Sequence, residues 1–271
     1  MIPMNLNSPR SRKWLFGLCL FACALSLEPL DAAELRVSHC LGSCPQGSAD
    51  PARMVLRSSY ALAYNEQRQA ADWLAYQMRA GSIGIASSLS REFLVDDEWD
   101  VSAENARVAA ELEALAQAQG LERAALMPIV SVAGTPYWHE ANLLSATTLR
   151  SASLERGAWS GLEWSLRNAV RRIGALYVVT GPLYVLDPGL DPGAGDIATP
   201  KGFFKLIAHE DGRLSAFKFA QSLAVHVHHC DTRTTLQEIE ALSGFTFFAD
   251  RADSAPALGS TGTLDQALGC R

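Results

Sequence analysis

Trp159, Glu163, Arg167 and Arg171 recur every four residues and fall on one stripe of a helix. The plainest chemistry of that stripe is an ion pair between Glu163 and Arg167 on the helix surface. A second group lies at 226–229. His226 and His228 alternate, so on a strand they share one face with His229 opposite, the pattern of a weak transition-metal pair. Its plainer reading is a strand-surface pair of histidines. A third group is His39, Cys40 and Cys44, three zinc-type ligands without a fourth to complete a tetrahedral site.

The elements that must position these groups can be read from periodicity and punctuation. Met54 to Tyr64 and Ala71 to Met78 read as two antiparallel strands joined by the polar Asn65–Gln69 turn. Ser102 to Gly120 reads as a helix, N-capped by Ser102 and ended by Gly120, with Val108, Leu112 and Leu115 on one side. Met127 to Val132 is a short apolar strand, and Pro136 to Leu144 a helical turn. Arg156 to Ile173 is a second helix, with Leu162, Leu166 and Val170 as its apolar stripe. Leu176 to Tyr184 is a buried strand, followed by the Asp187–Gly195 loop with its repeated Asp-Pro-Gly turns. Pro200 to Ala208 and Ala216 to Val227 add strands. Thr235 to Glu238 is a capping box for a last helix that Gly244 ends.

The 271 residues suffice for a substantial core. The first 33 read as a secretory signal: Arg10, Arg12 and Lys13, then an apolar run from Trp14 to Leu27, then small residues to Ala33. Leu20 to Cys23 forms a poor lipoprotein box, with Phe21 too bulky. The net charge is −6 for the whole chain and −7 once the three basic and two acidic side chains of residues 1–33 are removed. An acidic balance argues against a broad non-specific nucleic-acid surface, which rests on basic side chains, and leaves room for a local basic groove. Beyond Cys19 and Cys23 in the signal, Cys40, Cys44, Cys230 and Cys270 make an even set in an exported chain, open to three disulfide pairings.

Three runs carry a family resemblance: Leu121 to Pro128, Asn142 to Thr148 with Leu149-Arg150, and Gly157-Ala158-Trp159 through Leu162-Glu163 to Arg167. Together they are similar, without a gap from Glu122 to Arg167, to the Asp-Arg-Gly-His, Ser-Asn-Ile-x-Pro-Gln and Trp-x-x-Leu-Glu…Arg motifs of the DNA/RNA non-specific endonucleases. Val178-Val179-Thr180-Gly181-Pro182-Leu183-Tyr184, Tyr60 to Asn65 and Trp73 to Tyr76 resemble further stretches of that family. The likeness is strongest at 54–78, 121–184 and 228–270. It implies an α+β fold, the ββα-metal (His-Me finger) nuclease fold with a central antiparallel sheet flanked by helices, in one domain spanning 34–271. It also implies the pairings Cys40–Cys44 and Cys230–Cys270.

The resemblance further implies phosphodiester hydrolysis. A histidine base activates water, one divalent ion (usually Mg2+) neutralises the leaving oxygen, an asparagine ligates it, a glutamate holds metal-bound water, and arginines stabilise the phosphate. Carried over residue by residue, Arg123, Glu163 and Arg167 are retained, and Arg91, followed by Asp96, loosely fits a further active-site arginine. Glu122 stands for the aspartate. The histidine falls on Ala125 and the metal-binding asparagine on Ala146, while Arg150 and Glu155 replace a glutamine and a later asparagine. Alanine offers neither a titratable group nor a ligand atom, and loss of a general base alone costs about 10²–10⁴ in rate.

Three readings follow. The first is an exported, periplasmic or secreted, pseudonuclease that binds DNA or RNA phosphates through Arg91, Arg123, Arg150 and Arg167. The second is an active Mg2+-dependent nuclease with a relocated base (His139) and substitute metal ligands (Glu155, Glu122), Glu163 acting through water. The third is an interaction module that keeps only the fold, as a homodimer or paired with an active nuclease. In the first and third no cofactor is required.

Overall fold

The computed structural model describes residues 37–47, 52–96, 102–187, 199–251, 259 and 262–271, and only the backbone of 102–109 and 112. The expected signal, most of the Asp187–Gly195 loop and the Val108 and Leu112 side chains lie outside the described residues.

In chain order the strands and helices are β1 (Gln46–Gly47), β2 (Ala52–Leu56), β3 (Ala61–Asn65), β4 (Ala70–Met78), α1 (Ser102–Gln119), β5 (Leu121–Ala125), β6 (Thr147–Ser151), the single turn α2 (Ala152–Leu154), α3 (Ser160–Ile173), β7 (Leu176–Leu183), β8 (Gly202–Ala208), β9 (Leu214–Ala220), β10 (Arg233–Thr234), α4 (Leu236–Ser243) and β11 (Phe245–Thr246). Seven strands form one antiparallel sheet in the order β10-β9-β8-β7-β4-β3-β2. The apolar, β-branched run of β7 sits at its centre and is buried at every position.

A central strand buried on both faces requires a layer on each side. On one side Leu162, Leu166 and Val170 of α3 pack with Trp159 against Tyr76, Val178, Phe203, Ile207 and Phe217. On the other, Ile239 and Leu242 of α4 and Leu41 of the N-terminal arm cover Ala75, Val179, Phe204 and Leu206. Apart from the sheet, β5 and β6 pair antiparallel, with Arg123 opposite Leu149 and Ala125 opposite Thr147. This two-stranded ribbon followed by α3 is the ββα unit.

Local chemistry accounts for the turns. Asn65 Oδ1 accepts from the backbone N–H groups of Gln67 and Arg68, both at 3.0 Å, and reverses the chain between β3 and β4. Thr235 caps α4 by accepting from Glu238 N at 3.1 Å, and Gly244 ends it in the left-handed conformation at φ 74°. The reciprocal half of the capping box does not close, because the Glu238 carboxylate accepts instead from Lys218 and Thr234.

The structure departs from the sequence reading at four places. Met54 to Tyr64 is two strands: the chain turns at 57–60, where Arg57 N donates to Tyr60 O. Met127 to Val132 is a turn after Pro128, and the strand is the motif itself at Leu121–Ala125. The stretch 156–173 is broken, since Glu155–Trp159 is a wider helical turn in which Gly157 is non-helical. A Cβ there would meet Val225 O at 2.6 Å, so the close approach of that loop needs glycine. Finally, β9 stops at Ala220, so His226 and His228 do not alternate on a strand.

Both expected disulfides are present, Cys40–Cys44 and Cys230–Cys270. Their sulfurs are therefore not free thiolates for zinc. The same holds for the group His228, His229 and Cys230, whose ligand atoms lie close together but whose sulfur is bridged.

Candidate functional site

Strand alternation sets the face of each β5 side chain. Arg123 and Ala125 share one side and Glu122 takes the other. Arg123 is half-buried, which pushes its guanidinium below the usual range, and it donates to Thr147 Oγ1 at 3.3 Å. Glu122 is exposed and pairs with exposed Arg156 at 2.8 Å, a surface pair of little energetic weight. Ala125, where the resemblance places the histidine, is partly exposed. Ala146, where the resemblance places the asparagine, is fully buried, with its N–H donating to Leu143 O and its carbonyl accepting from Leu126 N at 2.9 Å each.

Behind this face lies a buried ionic group that the sequence reading did not assemble. Arg150 is 0% exposed and ion-paired to Glu155. Its guanidinium also reaches the Ala125 carbonyl at 3.5 Å and lies 3.7 Å from the centre of the Trp159 ring. Near the same indole, Lys205 places its ammonium 4.0 Å from the ring centre and donates to Glu163 Oε1. Two cations thus flank one aromatic ring, each with its own carboxylate. Burial, reinforced by the neighbouring Arg150 charge, pushes the Lys205 ammonium well below its usual range.

Lys205 is placed there by period-two alternation: Phe203, Lys205 and Ile207 face α3 together. One charged residue in an otherwise apolar strand was the available signal, since a buried lysine demands a partner. The helix-surface pair Glu163–Arg167 does not form, because Glu163 is turned inward to Lys205. Arg167, one turn on, is half-buried beside Tyr76. Burial pushes its guanidinium below the usual range while the Tyr76 phenol counteracts this, and it has no carboxylate partner among the described residues.

The remaining candidates are dispersed. Arg91 is exposed, and Asp96, expected beside it, instead pairs with Arg57 at 3.2 Å and accepts from Ser145 Oγ at 2.6 Å. His139 is exposed, edge-on to Trp138. The structure therefore joins Arg123, Ala125, Thr147, Arg150, Glu155, Trp159, Glu163 and Lys205 into one contiguous centre and leaves Arg91, Glu122 and His139 at the surface.

The donor set can be tested for a divalent ion. Glu163 Oε1 is taken by Lys205, and Oε2 is buried with no hydrogen-bond partner among the described residues. The Glu155 carboxylate is held by Arg150, and Ala146 presents only a methyl group. Water can supply most of a magnesium ion's six ligands, but the carboxylate oxygens left here sit beside two buried cations, whose charge opposes a dication, and position 146 offers no ligand atom, so the residues present do not fit the ion.

A ribbon of two antiparallel strands followed by a helix, set against a central antiparallel sheet, is the ββα-metal nuclease fold. The solved structure of an EndoG/EndoGI complex shares it, with a TM-score of 0.62 at 19% identity over 79% of this chain and 91% of that one. The family model for DNA/RNA non-specific endonucleases matches residues 45–254, and the chain belongs to that family. It is similar to a nuclease of Serratia marcescens, 29% identical over 261 residues that cover 93% of this chain and 95% of the relative. It is also similar to nuclease C1 of Cunninghamella echinulata var. echinulata, 24% identical over 213 residues covering 73% and 82%.

Proposed function

We propose that this protein is an exported member of the family that binds nucleic-acid phosphates without hydrolysing them through a metal ion and a histidine. The observation carrying this reading is the state of Glu163 and Arg167. The carboxylate is committed to Lys205, while the guanidinium one turn away stays half-buried without an anionic partner among the described residues. The centre has lost its attraction for a cation and kept a cation that suits a phosphate oxygen.

Arg123, on the same side of β5 as Ala125 and near the Glu113 charge, supplies a second guanidinium. Arg150 is taken out of this set, because a fully buried guanidinium held by Glu155 makes no surface contact. Among the described residues neither candidate base is built into the centre: His139 is exposed beside Trp138, and Lys205 is sealed against Glu163. Two disulfides fit an oxidising compartment and support export. Among the described residues no helix is long and apolar enough to cross a membrane.

The test is incubation of the mature, oxidised protein with plasmid DNA and RNA in magnesium, in manganese and in chelator. Both substrates are expected to stay intact and to be retarded in gels at low salt only. Cleavage that needs a metal and disappears in Arg123→Ala would overturn the proposal.

A further inference from the structure

The helical turn His229–Thr232 lies against the C-terminal tail, to which the Cys230–Cys270 disulfide and the His229 bond to Leu268 join it. One ligand atom each of His228, His229 and Cys230 lies within 4.8 Å of the other two. The Cys270 sulfur is bonded to that of Cys230 and shares the same space. Two imidazoles and two sulfurs thus converge, and two cysteines with two histidines are a donor set of structural zinc sites.

In the oxidised protein the sulfurs hold each other and cannot hold a metal. A disulfide forms only where the surroundings oxidise it, so the chain first exists with Cys230 and Cys270 as thiols. Other contacts keep the tail docked without that bond. Leu264 and Leu268 are buried in the core. Ser215 Oγ accepts from Leu264 N at 2.8 Å and donates to Asp265 at 2.5 Å. Asp265 also pairs with Arg233, at the end of the turn, at 3.2 Å. Arg172 of α3 donates to the Ala267 carbonyl at 2.5 Å. These contacts hold Cys270 beside Cys230 when both are reduced.

His229 is already oriented as a ligand. Its Nε2 lies 3.0 Å from the Leu268 carbonyl, which can only accept, so the proton sits on Nε2 and the lone pair on Nδ1. Metal-bound histidines almost always donate their second nitrogen to such an oxygen, which fixes the tautomer. Burial lowers the His229 pKa and keeps the ring neutral at neutral pH, the form that ligates. The His228 ring lies 4.2 Å from that of His229 and is exposed, which gives an ion a way in. Ligation through His228 Nδ1 gives up its 3.2 Å bond from Cys230 N, at an exposed place where water can replace it. Zinc bonds of about 2.0–2.3 Å set tetrahedral ligand atoms somewhat under 4 Å apart, so the group needs to close by only about 1 Å while the two sulfurs part.

We propose that Cys230, Cys270, His228 and His229 bind one zinc ion when the disulfide is reduced, so that metal and disulfide are alternative fastenings of the C-terminal tail. Binding releases the two thiol protons to solvent and leaves two thiolates and two neutral imidazoles around the ion. An external disulfide reverses it. The Cys230–Cys270 bond forms, the external S–S bond breaks to two thiolates, and the zinc leaves.

The experiment uses the mature chain carrying Cys40→Ser/Cys44→Ser, in which Cys230 and Cys270 are the remaining cysteines. A water-soluble phosphine reduces it: the S–S bond breaks, the phosphine takes the oxygen of a water molecule, and each sulfur takes one of that water's protons. Zinc is titrated calorimetrically and cobalt(II) by absorption, on the reduced and the oxidised forms. The reduced form is expected to bind one zinc, to show the thiolate-to-cobalt bands of a tetrahedral site, and to melt higher with zinc than without. The oxidised form is expected to bind none. His228→Gln and His229→Gln should each weaken zinc binding by the reduced form at least about tenfold. Equal zinc affinity in the reduced and oxidised forms, or unchanged affinity in both histidine variants, overturns the site. If the reduced chain unfolds, zinc is expected to restore its cooperative melt, and failure to do so overturns the site as well.

Discussion

Lys205 and Glu163 form a buried ion pair that joins the middle of β8 to the first turn of α3. Neither group meets solvent, and Trp159 covers the ammonium. Removing one partner of such a pair leaves an uncompensated charge in the core, which costs about 3–5 kcal/mol. Lys205→Met should therefore lower the denaturant midpoint sharply. The double variant Lys205→Met/Glu163→Leu should recover most of the loss, since apolar replacements of similar volume are often neutral. A double variant no more stable than the single one would refute this account of the pair.

Restoring the missing residues should have unequal effects. Ala125 is partly exposed, so Ala125→His has room and should melt close to the wild type. Ala146 is fully enclosed, and Ala146→Asn forces a polar, larger side chain into packed space, at a cost of about 1–3 kcal/mol. Neither change frees Glu163 from Lys205. The pair of substitutions alone should thus leave plasmid DNA uncut in magnesium, and efficient cleavage by it would show that the buried cations do not block the centre.

Arg123 and Arg167 should each contribute to phosphate binding electrostatically. Each replacement by alanine should weaken strand binding across all sequences alike and reduce the slope of log affinity against log salt by about 1. Arg150→Ala should instead lower stability, because it strips Glu155 of its partner and Trp159 of its cover. A change in the salt slope for Arg150→Ala, with stability unchanged, would contradict the burial of that guanidinium.

The C-terminal tail is tied back by Cys230–Cys270, which spans 40 residues. Loop-closure entropy for that length is worth about 4 kcal/mol, and about half as much for the four-residue span of Cys40–Cys44. Cys230→Ser/Cys270→Ser should therefore melt well below Cys40→Ser/Cys44→Ser under oxidising conditions.

His229 lies beneath this tail and bonds the Leu268 carbonyl at 3.0 Å. Burial lowers its pKa, and the adjacent His228 adds to the effect. The unfolded chain then takes up the proton more readily than the folded one. The stability from neutral His229 is complete above about pH 6.5 and is lost as pH falls through the folded value. The denaturant midpoint should drop between pH 7 and pH 5, and the drop should shrink in His229→Gln. An equal slope in that variant would assign the effect elsewhere.

Much of this was legible in the amino-acid order. Helix periodicity placed α3, Thr235 and Gly244 bounded α4, and the apolar run from Leu176 marked the central strand. The run from Glu122 to Arg167 pointed to the nuclease family and to the two alanines in its centre. These are local signals, or patterns fixed by covalent spacing, and a chain keeps them in one dimension.

The partners of the charged groups were not legible, because they depend on elements far apart in sequence. Glu163 has Arg167 at the right spacing along its helix, yet Lys205, 42 residues away, takes it. A buried charge must be neutralised by whatever cation packing brings within reach, whereas an exposed i,i+4 pair gains little in water. Likewise Arg150 counted as a surface phosphate contact until the β5–β6 ribbon closed over it, and Asp96 went to Arg57 and Ser145 rather than to Arg91. The sequence by itself determined the fold family, the cysteine pairing that the resemblance implied and the absence of a base and ligand at 125 and 146. Tertiary packing alone decided which cations were sealed inside and which, such as Arg167, were left half-buried without a carboxylate partner among the described residues.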